Sequence, residues 1–334
     1  MISEKEFIQL LLPKTKEELR ILAQKAHEIS LKKFGKTISL YAPLYLSNEC
    51  ENKCAYCSFN FDNKFPRLTL TKEQALKEAE TLHQQGFRHI LLVSGEAPQK
   101  INLNYLGEII QNLKPLFPSI SLEIYPLSEE GYRTLKNAGA SALTIYQETY
   151  HRETYQKFHC GPKSNFDFRF QTPERGAKAG LRKVGLGFLL GLYDWKFEAL
   201  KLYQHIHFLM KKYWQTQIAI SFPRIRSTLQ NFAAPYPVSD LEFIQLICAM
   251  RIAFPEAELV ISTRENSQLR DQLVYLGINT MSAGSKTSPL GYTQPQENKG
   301  QFEVEDNRNP QEVSSALKNQ GFDAMWKDWD PILG

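Results

Sequence analysis

Apolar and β-branched runs recur along the chain, each separated from the next by a polar, helix-length segment. Eight of them read as buried strands: ISLYAPLYLS from Ile38, HILLVS from His89, ISLEIYPL from Ile120, SALTIYQ from Ser141, KVGLGFLLGL from Lys183, QIAISFP from Gln217, ELVISTR from Glu258 and NTMSAGS from Asn279. The intervening segments carry helix start signals. Thr71 with Gln74, and Ser239 with Glu242, have the spacing at which each side chain caps the other's backbone donor. After Ser239, residues Leu241, Ile244, Cys248 and Ile252 follow helical steps, which predicts one core-facing stripe with Cys248 as a small core residue. Eight strands alternating with helices predict an α/β fold, a (β/α)8 TIM-type barrel. The barrel is expected over 37–288, after a short N-terminal helical extension over 1–36. A C-terminal loop and helix, over 289–334, is expected to pack on it.

A length of 334 residues suits one such barrel with extensions. The 40 basic and 36 acidic residues are spread along the chain, without a basic run interleaved with aromatics, so nucleic acid is not an expected partner. Mean hydropathy is -0.39, and no run of about 18 apolar residues exists to span a membrane. The start, MISEKEFIQLLLPKTKEELR, lacks the basic head and apolar length of a secretory signal. Five cysteines, with Cys160 and Cys248 far apart, do not form a disulfide pattern; a reducing, cytoplasmic setting is expected.

Active sites of such barrels lie at the C-terminal strand ends. There the sequence places its unusual residues: CENKCAYC after the first strand, SGE at Ser94 to Glu96 after the second, and Glu123 ending the third. YQET, Tyr146 to Thr149, ends the fourth, and SFPR, STRE and SAGS end the last three. Cys50, Cys54 and Cys57 stand four and three apart on a loop, a spacing that turns soft thiolates toward a common centre. A structural zinc site wants a fourth ligand, and no cysteine or histidine lies near enough in sequence to supply it. Three thiolates on a four-iron cubane instead leave one iron open to a further ligand.

The triplet, with Tyr56 before its last member, resembles the signature of the radical S-adenosylmethionine (SAM) enzymes. APLYLSNECENKCAYCSFN, LLVSGE, YQETYH, VGLGFLLGLYD, YWQTQIAISFPRIR, STRE, SAGSKTSPLGY and WKDWD together resemble the tyrosine lyase family of thiamine biosynthesis, the 2-iminoacetate synthases. The resemblance implies a 4Fe-4S cluster on Cys50, Cys54 and Cys57, with SAM on its open iron. It implies cleavage of L-tyrosine between Cα and Cβ to p-cresol and dehydroglycine, a thiazole synthase as acceptor of that imine, and a flavodoxin- or ferredoxin-type electron donor. Carried over by motif, Tyr56 lies near the adenine, and Ser94, Gly95 and Glu96 resemble a GGE-type motif for the methionyl end. Glu123, Gln147, Glu148 and Arg169 hold the ribose, amino and carboxylate groups. Gly187, with Gly185 and Gly191, admits the adenine or relieves crowding in the barrel.

The substrate carboxylate calls for an arginine fork. Arg264 in STRE and Arg224 in SFPR qualify by position; Arg264 is favoured, with Ser282 and Ser285 as neighbouring donors. Alternatives are another radical SAM aromatic amino-acid lyase, such as a hydrogenase-maturase relative with a second cluster, and a non-catalytic iron-sulfur scaffold.

Overall fold

In a computed structural model, described here for residues 1–226, 232–294 and 300–327, eight parallel strands close into a barrel. They are β1 (Thr37–Ser47), β2 (His89–Ser94), β3 (Ser119–Glu123), β4 (Ala142–Glu148), β5 (Lys183–Phe188), β6 (Gln217–Ser221), β7 (Glu258–Ile261) and β8 (Thr280–Ser282). Each pairs with the next, and β1 closes the ring by pairing with both β2 and β8. The expected (β/α)8 architecture is therefore the observed one. The strands are apolar almost throughout because helices cover the outer face and side chains fill the inner one, leaving no face for water. Leu40, Leu44, Ile90, Leu92, Ile120, Leu122, Leu143, Val184, Leu186 and Ile220 form the layer between sheet and helices. A smaller cluster of Tyr41, Tyr45, Phe59, Leu91 and Val93 fills the barrel at β1 and β2.

Both predicted capping boxes form, on helices Lys72–Gln84 and Asp240–Ala253. The stripe after Ser239 is buried at Cys248 and Ile252, under Leu22 and Ala26 of the N-terminal helix Lys16–Phe34. Leu241 departs from expectation: it is 53% exposed. It lies in the first turn of its helix, beyond the stretch that the N-terminal helices cover.

The C-terminal segment does more than loop and form the helix Pro310–Asn319. Gln301 N–H donates to Thr287 O at 2.8 Å, and Glu305 and Asp306 both donate to Thr263 O, so residues 300–306 cross the barrel mouth. Asp306 anchors this crossing through ion pairs with buried Arg270 and with Arg308. A ninth strand, β9 (Asp323–Met325), pairs in parallel with the start of β1. Part of the WKDWD motif, from residue 328, lies outside the described residues. Among those residues no helix is long and apolar enough to cross a membrane.

Candidate active site

The cysteine loop is held at its backbone by two side chains. Fully buried Asn48 donates to Pro66 O at 3.2 Å and accepts from Leu68 N–H at 2.7 Å, pinning the two ends together. The Arg67 guanidinium, half-buried, donates to the carbonyls of Asn48, Phe59 and Asn60 at 2.7, 2.9 and 2.6 Å. Cys57 N–H donates to Cys54 O at 3.2 Å in a tight turn, and both side chains face the same cavity as Cys50. Gly95 is where the loop after β2 meets this one: a Cβ there would lie 2.2 Å from Glu49 O. Any side chain at that position would push the cysteine loop outward.

That cavity, with the open space at its mouth, spans about 990 Å³, and an inner one of about 550 Å³ on the same measure adjoins it. They share Val93, Glu123, Tyr146, Pro223 and Arg264, so they are two lobes of one site at the C-terminal strand ends. The outer lobe holds the three cysteines with Tyr56, Ser94, Glu96, Glu148, Lys163 and Arg169. Ser282, Ser285, Thr263 and Phe302 line the inner lobe.

Charge in the outer lobe is organised around Glu148. Its carboxylate pairs with Lys163 Nζ at 2.7 Å and Arg169 at 3.3 Å, all three being nearly inaccessible. Burial pushes the Glu148 pKa up, but the two cations outweigh it and leave the group at about 2. Two cations against one anion leave a positive surplus, suited to an incoming carboxylate. Glu96 accepts from Asn52 Nδ2 at 2.7 Å and supplies the negative counterpart for an ammonium group. Tyr56 donates its hydroxyl to His159 Nε2 at 2.7 Å; the other ring nitrogen, 2.7 Å from Tyr155 O, carries the proton. Burial pushes His159 down to about 3, so this ring is neutral.

At the junction of the lobes, burial raises Glu123 to about 7, against a 3.0 Å hydrogen bond from Tyr146 Oη and the nearby Arg264 charge. Arg264 stacks its guanidinium 3.5 Å from the Phe302 ring centroid. Among the described residues no hydrogen-bond acceptor takes its fork, which leaves the donors for a ligand. Ser282 Oγ accepts from Thr263 N–H at 3.2 Å.

Several positions differ from expectation. Gln147 points away from both lobes, toward Phe170 and His205, because side chains alternate along β4 and Tyr146 takes the inward place. Gly187 lines neither lobe; a Cβ there would meet Ser221 O at 2.5 Å and the Tyr146 ring at 3.0 Å, so it gives Tyr146 its room. Arg224 also lies outside both lobes, bound by Glu265 at 3.0 and 2.6 Å and by Asp240. Residues the sequence reading did not single out are Asn52, Lys163, His159, Gln301 and Phe302. Lys163 and His159 follow the YQETYH motif closely enough that their proximity to Glu148 was a usable signal; Gln301 and Phe302 arrive from a remote segment.

The residues fit a cubane and a zwitterionic ligand. Cys50, Cys54 and Cys57 line one lobe, and a cubane gives each thiolate its own iron. No disulfide joins the cysteines, and burial pushes Cys54 to about 12 and Cys57 to about 11, so iron binding must displace their protons. Buried hydroxyls without partners point the same way: Ser94 Oγ in the outer lobe, Thr263 Oγ1 and Ser285 Oγ in the inner one. Such groups are costly unless a ligand completes them.

Family models match twice, the Radical SAM superfamily over residues 44–203 and the Biotin and Thiamin Synthesis associated domain over residues 221–323. The chain is 39% identical to the 2-iminoacetate synthase of Salmonella typhimurium and to that of Escherichia coli, in each case over 100% of this chain and 89% of the relative. Among solved structures it resembles the FeFe-hydrogenase maturase HydG from Carboxydothermus hydrogenoformans, with a TM-score of 0.91 and 36% identity, covering 97% of this chain and 76% of that one. Two family matches within one barrel, and identity along the whole chain, place this protein in the 2-iminoacetate synthase family of radical SAM enzymes.

Proposed function

We propose that this protein is a radical SAM tyrosine lyase that cleaves L-tyrosine between Cα and Cβ to 2-iminoacetate (dehydroglycine) and p-cresol. The observation that carries the reading is the pair of adjoining lobes, one lined by three cysteines that no disulfide joins and the other by an arginine whose fork meets no acceptor among the described residues. When bound, the 4Fe-4S cluster and SAM supply the 5'-deoxyadenosyl radical that takes a hydrogen atom from the substrate amino group. Every other task falls to the chain. Cys50, Cys54 and Cys57 hold the cluster. Glu96 offers a carboxylate to the methionyl ammonium, and the positive surplus of Lys163 and Arg169 over Glu148 offers a partner to its carboxylate. Ser94 Oγ, buried and unpartnered, completes that end.

On the substrate side Arg264, flattened on Phe302, takes the tyrosine carboxylate, with Ser285 and Ser282 beside it. Glu123 and Tyr146 stand where the lobes meet, with the Tyr146 hydroxyl donating to Glu123. The crossing segment 300–306 helps to exclude water, which would otherwise compete for a reactive intermediate. The product imine hydrolyses in water, which favours transfer to a thiazole synthase for the thiazole moiety of thiamine; a flavodoxin- or ferredoxin-type protein is the proposed electron donor.

The test is anaerobic reconstitution with iron and sulfide, reduction, and incubation with SAM and tyrosine. Equal amounts of 5'-deoxyadenosine and p-cresol, with glyoxylate from hydrolysed imine, are expected. SAM cleavage without p-cresol would overturn the reading.

A further inference from the structure

At the end of β4 the backbone leaves strand geometry. Glu148 has φ +68, one of two non-glycine residues with positive φ among the described residues. The pairing of β4 with β5 slips between Tyr146 and Glu148, so the chain turns sharply just where it presents the carboxylate to Lys163 and Arg169. A side-chain-bearing residue in the left-handed region persists only where its surroundings over-determine it.

The restraint comes from behind the strand. Glu198, in the helix Trp195–Lys212, is 1% exposed and lines neither lobe. Its Oε2 accepts Tyr150 N–H at 2.7 Å and its Oε1 accepts the Thr149 hydroxyl. Thr149 Oγ1 in turn accepts His151 N–H at 3.1 Å. One carboxylate thus takes up, directly or through a hydroxyl, the donors of the three residues that follow Glu148. No cation pairs with it among the described residues, so hydrogen bonds to this turn are what offset its burial. Since the substrate and cofactor chemistry described above makes no use of Glu198, its placement calls for another explanation.

We infer that Glu198 is a positioning residue: it clamps Thr149 to His151 from the helix side and so fixes the left-handed turn that aims Glu148 into the outer lobe. The inference rests on the reading of Glu148 as part of the SAM site. It predicts that loss of the clamp misdirects Glu148 while the cysteines, which follow β1, and Arg264, which follows β7, keep their places.

The test uses reconstituted holoenzyme carrying E198A, E198Q, T149V or E148Q, with iron content and the KM values for SAM and tyrosine measured separately. E198A is expected to keep its iron and its tyrosine KM while the SAM KM rises at least about tenfold, the scale of a small misplacement of a binding group. E198Q should recover most of that loss, because an amide oxygen can still accept from Tyr150 N–H and the amide nitrogen can donate to Thr149 Oγ1. T149V removes one arm of the clamp and should shift the SAM KM in the same direction by less; it also serves should E198A fail to fold. E148Q separates the two layers. If E148Q weakens SAM binding and neither E198A nor T149V does, the clamp is wrong; if E148Q leaves SAM binding unchanged, the reading beneath it fails too. Parallel loss of iron, SAM binding and tyrosine binding in T149V would make the contact merely structural and overturn the inference.

Discussion

Arg264 lies flat on Phe302, its guanidinium carbon 3.5 Å from the ring centroid, although one residue comes from the exit of β7 and the other from the segment that crosses the barrel mouth. Stacking fixes the plane of the fork and leaves its in-plane donors without a protein acceptor among the described residues, where the two lobes meet. Arg264→Ala is therefore expected to weaken tyrosine binding by about 1.5–3 kcal/mol, the worth of a charge-assisted hydrogen bond. Phe302→Leu should do so by a smaller amount, with SAM binding little changed in both. Tyrosine titrations that coincide with wild type would remove Arg264 from the substrate site.

Arg224 should behave in the opposite way. Its guanidinium is 4% exposed and bound by Glu265, itself 1% exposed. Removing it leaves the buried Glu265 carboxylate with Arg226, at 2.6 Å, as its remaining cation, so Arg224→Ala should cost stability by denaturant unfolding, by less than the about 3–5 kcal/mol of a buried charge left with no partner. In the folded fraction, tyrosine KM should be unchanged. A raised tyrosine KM in stably folded Arg224→Ala would return this arginine to the site.

The contrast shows where sequence was informative. The barrel was legible because parallel strands buried on both faces must be apolar, and eight such runs are hard to miss. The cysteine loop was legible because ligand spacing is local. Arg264 and Arg224 are not distinguishable by position, since both end a strand; what separates them is the acceptor each meets, Glu265 for one and an aromatic face for the other. Gln147 departs from expectation because the strand's alternation turns Tyr146 inward and Gln147 outward. Phe302 and Gln301 reach the site by tertiary contact, Gln301 accepting from Tyr45 Oη at 2.7 Å, and nothing local marks them.

Replacing Cys50, Cys54 or Cys57 by Ala should abolish the cluster. Cys160→Ala and Cys248→Ala should retain it: Cys160 lines neither lobe, and Cys248 is a fully buried core residue. Iron per chain and the brown absorption after anaerobic reconstitution give the answer. Full cluster content in Cys54→Ala would sink the assignment.

Glu123 gives a pH signature whose sign is fixed. Burial raises its folded pKa from 4.5 to about 7. Between these values the native state binds more protons than the unfolded one, so stability falls as pH rises through this window. Glu123→Gln cannot titrate, and its stability should drop less between pH 5 and 7 than that of the wild type. The difference is at most about 3 kcal/mol. Parallel pH profiles for the two proteins would mean that Glu123 is ionised throughout, with Arg264 outweighing its burial.

The product set separates the two kinds of tyrosine lyase this chain resembles. Turning the fragment of tyrosine into carbon monoxide and cyanide requires, in the maturase kind, an auxiliary cluster on further cysteines. Beyond the triplet the 334 residues contain Cys160 and Cys248, one after β4 and the other inside the helix Asp240–Ala253, where its thiol faces Leu22 and Ala26 rather than a cavity. Two thiols so placed have neither the number nor the spacing to hold a second cluster. Reduced protein with SAM and tyrosine is therefore expected to release p-cresol and dehydroglycine, the latter appearing as glyoxylate and ammonia unless a thiazole synthase captures it. Adding a haem protein as a trap should leave its spectrum unchanged. Carbon monoxide bound to that trap in amounts matching p-cresol would assign the chain to the maturase chemistry instead, and tryptophan cleavage without p-cresol from tyrosine would assign it to a different aromatic lyase.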